Sequence, residues 1–344
     1  MIIPRADDAA RLGWLGRHRL WPVAGFLAQR GDLPAHLATI AEPLAELQRR
    51  DMRLQLVEDQ RVVSSLVKSG VPVLVLKGAL LAQTVYPTPE SRFRTDLDLL
   101  VDAKGVPAIE VRLRELGYDR PEGAQSAMPL RQSQWSRRSG KRILSVDLHW
   151  DLRNHPALQA RFSFSELIAS SQPLPALADQ ALGMGPAHAL LNASMHFFND
   201  YADERPHQWL LDKDLLWRSM SAEERSQAKD LACERGLAGL LAESLNLTQE
   251  VFDTPVDRAD LERLRRVGSA QWGTGLVQAN KKRHTAYWFA LKSEPSLRRK
   301  LARIKAGLLP SARYIRRLYP EGSRFGLLGL YLRRIATSFR TDSS

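Results

Sequence analysis

The spacing of apolar residues changes along the chain, and each change marks a new element. Through residues 1–69 apolar side chains recur three and four apart, as in HLATIAEPLAELQRRDMRLQLVEDQRVVSSLV. That spacing lines one face of a helix, with Pro43 expected at a break or a helix start. The stretch SGVPVLVLKG abandons the period. Ser69–Gly70 predicts a turn, Val71–Leu76 a short strand, and Lys77–Gly78 its end. ALLAQTVYP fits a helix that stops before Pro87. TPESR reads as a loop and TDLDLLV as a second strand. VPAIEVRLRELGY has the spacing of a helix packed on a sheet, with Gly117 as its C-cap. QSQWSRRSGKRILSVDLHWDL predicts two strands joined at Ser139–Gly140. Beyond Trp150 the strand signal fades, and PAHALLNASMHFFNDYA, HQWLLDKDLLWRSM and ADLERLRRVGSAQW are helical. The pattern predicts an α+β protein: a small mixed sheet with flanking helices, followed by a mostly helical C-terminal half. Three parts are expected: N-terminal helices over 1–69 that pack on a core, the mixed core itself over 70–155, and a helical domain over 156–344 with a basic end.

Charge sharpens this division. The 344 residues carry a formal net charge of +12. From Lys281 to Ser344 there are 16 Lys/Arg against 3 Asp/Glu, so this segment alone carries +13 and the first 280 residues sum to −1. The basic end therefore attracts an anionic partner (nucleic acid, an acidic peptide or a membrane surface) or forms a solvated arginine-rich face. The interleaved RRKLARIKAGLLPSARYIRRLYP fits an RNA-contacting surface. FGLLGLYLRRIATSFR, a short apolar run followed by cations, fits an anionic membrane surface. One cysteine, Cys233, excludes an internal disulfide framework and a cysteine-based zinc site. No transmembrane segment is expected, since the longest charge-free run, Ala181–Asn199, is interrupted by Gly-Met-Gly-Pro, two asparagines and two histidines. The opening MIIPRADDAARLGW lacks the order of a signal peptide. A cytoplasmic location is the resulting expectation.

The candidate chemistry lies in FRTDLDLLVD. Side chains alternate across a strand, so Asp96 and Asp98 share one face. Two carboxylates on one half-buried face repel each other, and a hard divalent cation, Mg²⁺ or Mn²⁺, relieves both. A third carboxylate, Asp147, sits in LSVDLHW with His149 on its face, expected either to hold a ligating carboxylate in place or to meet the acceptor. If that strand lies beside the first, three acids converge, as metal-assisted phosphoryl transfer requires. Upstream, Gly78 permits a close backbone approach before a helix N-terminus that favours an anion. Lys77, Arg92 and Arg94 supply positive charge for phosphate oxygens.

These residues in this order resemble the polymerase-β-type nucleotidyltransferase superfamily. LKGALLA, YP, SRFRTDLDLLV, ELGY and VDLHWDL together are similar to its uncharacterised nucleotidyltransferase family, with the match running from about Leu76 to Leu152. The resemblance implies a nucleotidyltransferase fold and a nucleoside triphosphate donor. It implies metal binding and catalysis by Asp96, Asp98 and Asp147, and a phosphate-holding turn at Gly78. The acceptor it implies is a peptide or its modified product, while the basic end points instead to an RNA. Ala79 departs from the superfamily, where a serine hydroxyl usually helps to hold the triphosphate. That departure keeps a second function open, a non-catalytic RNA- or peptide-binding adaptor on a degenerate nucleotidyltransferase fold. Oligomeric state is not fixed by the sequence.

Elsewhere His188, Asn192 and His196 form one helical stripe expected to pack against the core. Asp212 and Asp214 sit on a helix and point apart, with Asp212 expected to cap or to pair with an arginine of the first part. Trp209 and Trp217 are expected in the core.

Overall fold

The computed structural model describes residues 8–120, 130–199, 206–279, 283–308, 312, 315–316 and 326–338. Three helices open the chain: α1 (Asp8–Arg17), α2 (Trp21–Gln29) and the long α3 (Ala35–Val67). Pro43 lies inside α3 rather than at its start. It stands more than two turns after Ala35, in the helix interior, where a proline removes one i→i−4 backbone hydrogen bond. The inner face of α3 buries Ala41, Ala45, Val62 and Leu66, and with them three polar residues, Gln55, Glu58 and Asp59.

The mixed core follows the predicted order: β1 (Leu74–Val75), α4 (Lys77–Thr84), β2 (Leu97–Leu100), α5 (Val106–Glu115), β3 (Gln132–Ser139) and β4 (Arg142–His149). Gly140, at φ +58°, makes the β3–β4 turn, and Gly117, at φ +80°, ends α5 as expected. The first strand is shorter than Val71–Leu76, because Pro72 cannot donate to a ladder. Leu76 still continues it, its N–H bonding the Asp98 carbonyl at 2.9 Å.

Two further strands, β5 (Gln172–Pro173) and β6 (Leu182–Gly183), extend the sheet past residue 155. The fading strand signal after Trp150 missed them, since two-residue strands show no alternation. The full order is β3-β4-β2-β1-β6-β5, mixed in direction. Gly183 is required there, because a Cβ would stand 2.5 Å from Leu80 Cδ1.

From α7 (Pro186–Asn199) onward the described chain is helical, after the short α6 (Phe164–Ala169). Next come α8 (Gln208–Ser219), α9 (Ala222–Glu234), α10 (Ala238–Phe252), α11 (Arg258–Gly268) and α12 (Trp272–Ala279). The last three are α13 (Arg283–Ser293), α14 (Leu297–Leu308) and α15 (Leu327–Ser338). A capping box at Ser221 and Glu224 starts α9. One continuous apolar core runs from Leu15 through the sheet to Val277. Among the described residues no helix is long and apolar enough to cross a membrane.

Candidate active site

Register brings the acids together. Strands β2 and β4 run parallel with Asp98 opposite Asp147 and Leu100 opposite His149. Directly opposed residues project to the same face, so the Asp98 and Asp147 side chains meet there. Ligand atoms of Asp98, Asp147 and His149 lie within 4.8 Å of one another. Asp96 is not one of this trio; it lies just before the strand, which begins at Leu97. It lines the same cavity, of about 420 Å³, together with Lys77, Gly78, Asp98 and Asp147.

The electrostatics show what the trio lacks. Burial, reinforced by the Asp98 and Asp96 charges, pushes the Asp147 carboxyl up to about 7. Burial and then the Asp98 charge push Asp96 up to about 6. Asp98 moves the other way: burial opposes its charge, but Lys77 and His149 overcome that and hold it below the usual carboxylate range. Lys77 Nζ lies 2.5 Å from Asp98 Oδ1, and His149 Nε2 lies 3.0 Å from the same oxygen. Burial, then Lys77, drops His149 to about 4, so the ring is neutral at pH 7. Nε2 then donates to Asp98, and Nδ1 is left as a bare acceptor. That Nδ1 and Asp147 Oδ1 are both buried with no hydrogen-bond partner. Buried acceptors without donors are costly. Two carboxylates and an imidazole around such orphaned atoms fit a divalent cation.

Lys77 owes its position to an unusual backbone. Its φ is +45°, a left-handed value that costs a side-chain-bearing residue energy. Gly78, beside it, is not the residue with positive φ. Gly78 is needed for room: a Cβ would lie 3.1 Å from Arg92 Nη1 and 3.3 Å from Arg94 Cβ. The turn thus presses the arginine loop against the first turn of α4, whose backbone N–H groups favour an anion. Ala79 is 1% exposed and belongs to the apolar core, so the departure from serine sits off the cavity wall.

Both arginines expected on phosphate line the cavity, and each is held there by a carboxylate. Arg94 donates from Nε and Nη2 to Asp59 Oδ2, at 3.1 and 2.8 Å, with both side chains 1% exposed. It locks α3 to the loop before β2. Arg92 donates from Nε and Nη2 to Asp212 of α8, at 3.1 and 2.6 Å. Tyr86 Oη donates to the same carboxylate at 2.8 Å. Asp212 therefore pairs with an arginine of the first part, as its sequence position predicts.

The helical half supplies a wall that the sequence only partly revealed. Asn192 and His196 of the α7 stripe line the cavity with Arg153 and Trp209. Arg153 Nη2 donates to the Asn192 carbonyl and to its Oδ1, at 2.6 and 2.7 Å. His188 of the same stripe leaves the cavity and approaches Ser170 and Glu166. Trp217 is core, 2% exposed. Trp209 is not: it is half-buried on the cavity wall, its ring 4.3 Å from that of His196. A tryptophan in an apolar run carries no mark that separates the two.

No curated protein matches the chain. Among solved structures, the antibiotic-resistance factor ANT(2'')-Ia, known in solution, is similar with a TM-score of 0.37 and 13% identity over 58% of this chain and 97% of its own. The sequence model described as uncharacterised nucleotidyltransferase matches residues 6–253. That span takes in α3, the whole six-stranded sheet and the α7–α8 wall, every element that builds the cavity, and by that match the chain belongs to the uncharacterised nucleotidyltransferase family.

Proposed function

We propose that this protein is a divalent-metal-dependent enzyme that transfers a nucleotidyl group from a nucleoside triphosphate to a hydroxyl-bearing acceptor. Membership of a nucleotidyltransferase family supports the transfer. The observation that carries the metal is Asp147 Oδ1, buried and unpartnered directly across from Asp98. Asp98 and Asp147 hold the ion, with His149 fixing Asp98 through Nε2. Asp96, on the cavity side of the pair, completes the negative cluster. Mg²⁺ or Mn²⁺ suits these oxygens and, when bound, neutralises charge on the phosphoryl group in transfer.

The chain's own residues do the rest. Lys77 and the first N–H groups of α4 receive the donor's phosphates. Arg92 stays on Asp212 and lends its charge to the wall from behind Gly78. Asp147 accepts the proton that the acceptor oxygen loses. The new bond joins that oxygen to the α-phosphorus, and pyrophosphate leaves. Arg153, Asn192, His196 and Trp209 form the opposite side, where the base or the acceptor rests.

The test is calorimetric binding of each nucleoside triphosphate with and without Mg²⁺, in the wild type and in Asp98→Asn. Metal-dependent binding that disappears in the variant supports the reading. Binding indifferent to both metal and Asp98 favours the adaptor.

A further inference from the structure

The last helices turn several leucines outward and one arginine inward. On α14, Leu297 is 71% and Leu301 59% exposed. Arg303 of the same helix faces the protein, its Nε 3.3 Å from Glu294, which is 1% exposed. Its Nη2 donates to the Asn154 carbonyl at 3.1 Å. On α15, Leu328 is 74% and Leu332 60% exposed, while Leu330 is buried. Trp288 of α13 is also largely exposed, beside Tyr287. These helices touch: α14 packs against α15, and Tyr287 Oη donates to the Arg303 carbonyl at 3.4 Å. A helix on a water-facing surface keeps its large apolar side chains inward, so four bare leucines on this face are unusual.

Charge says what covers this face. Exposed Arg298 and Lys305 bracket Leu301 on α14, and exposed Arg333 adjoins Leu332 on α15. The segment from Lys281 carries 16 Lys/Arg against 3 Asp/Glu. The other exposed apolar stripe, Ile40, Leu47 and Leu54 on α3, differs in this respect. It has acids among its residues, Glu46 paired with Arg49 and Arg53, and Asp51 with Arg142. Among the described residues only the C-terminal face combines bare leucines with a one-signed cationic field.

We propose that α13–α15 form a docking surface for an anionic lipid bilayer. Trp288 and the four leucines enter the boundary between headgroups and acyl chains, and the flanking arginines and lysines meet lipid phosphates. Single-stranded nucleic acid uses cations and aromatic faces but gains little from four leucines held in water. The contact lies on the membrane, since no described helix can cross one. Because Asn154 lines the catalytic cavity and Arg303 binds its carbonyl, docking here holds that cavity close to the bilayer.

The experiment is co-sedimentation of the full chain with vesicles of phosphatidylcholine, alone or mixed with phosphatidylglycerol. The protein is expected to pellet with the anionic vesicles, to release with added salt, and to ignore the neutral ones. Leu301→Asp with Leu328→Asp is expected to lower partitioning about 100-fold, at about tenfold per buried leucine lost. The melting temperature should stay unchanged, because both side chains are exposed. Vesicles should also shift tryptophan emission to the blue in the wild type but not in Trp288→Phe. No anionic-vesicle binding overturns the proposal. So does binding that persists in the leucine variant, or tight binding of a single-stranded RNA oligonucleotide that vesicles do not displace.

Discussion

The chain uses Asp-x-Asp twice, at Asp96–Asp98 and at Asp212–Asp214, and the two pairs have opposite fates. Asp212 and Asp214 lie on α8 and are each fully engaged. Asp212 holds Arg92 and Tyr86, while Asp214 holds Arg218 at 2.7 Å and the Thr254 hydroxyl at 2.7 Å. Every charge there has a counter-charge, and the result is a clamp between the helical half and the sheet. At the other pair the acids outnumber their partners. Lys77 and His149 both serve one oxygen of Asp98, Asp147 is left with an orphaned oxygen, and Asp96 and Asp147 are pushed up toward neutrality. Buried polar groups normally find partners within the protein, so a cluster left short of positive charge fits a ligand site, and a satisfied one fits architecture.

The contrast breaks most visibly at the clamp. Asp212→Asn leaves the buried Arg92 guanidinium without its counter-charge, and the loss should be about 3–5 kcal/mol, read from the urea midpoint. If the midpoint stays within about 0.5 kcal/mol of the wild type, the clamp is not architectural.

A third satisfied carboxylate extends the comparison. Burial raises Glu58, but hydrogen bonds from Arg61, Tyr118 and Arg137 outweigh it and bring the group to about 2. A folded value below the usual 4.5 means that the contribution is fully present above pH 4.5 and is lost as pH falls toward 2. Glu58→Gln should cost about 2 kcal/mol at pH 7. The gap from the wild type should narrow steadily as pH falls from 4.5 toward 2, and a gap constant over that range contradicts the assignment.

The smallest effect belongs to Thr254→Val, which removes one hydrogen bond from Asp214 but leaves Arg218 in place. About 1 kcal/mol is expected by thermal melting. A larger loss would mean that Arg218, on the exposed side of the pair, contributes little.

The sequence showed some of this and hid the rest, for identifiable reasons. Strand alternation and turn residues exposed the order from β1 to β4, the Gly117 and Gly140 positions and the acids at 96, 98 and 147, because those signals are local. The parallel register that sets Asp147 against Asp98 is a long-range choice that no local period encodes. The same holds for Asp59, which sits mid-helix on α3 with nothing nearby to announce that it claims Arg94. Arg92 and Arg94 read as phosphate ligands from their place beside the Asp-x-Asp, and nothing local announces that each also pairs with a distant carboxylate. Gly78 was visible as a special position, but the strain falls on Lys77, a residue whose type gives no warning of positive φ. Asn192 and His196 were placed correctly as a stripe facing the core, and Trp209 was not, since apolar spacing cannot tell a cavity wall from an interior.

The central claim is that Asp98 and Asp147 form a cation site that the fold leaves short of charge. Asp147→Asn separates this from a structural role, since it relieves repulsion in the apo protein while removing a ligand. Thermal melts of the wild type and the variant, with and without Mn²⁺, measure both at once. The account predicts an apo variant at least as stable as the wild type, and a stabilisation by Mn²⁺ seen in the wild type and absent from the variant. A variant that melts lower without metal, or that keeps the full Mn²⁺ response, would contradict it.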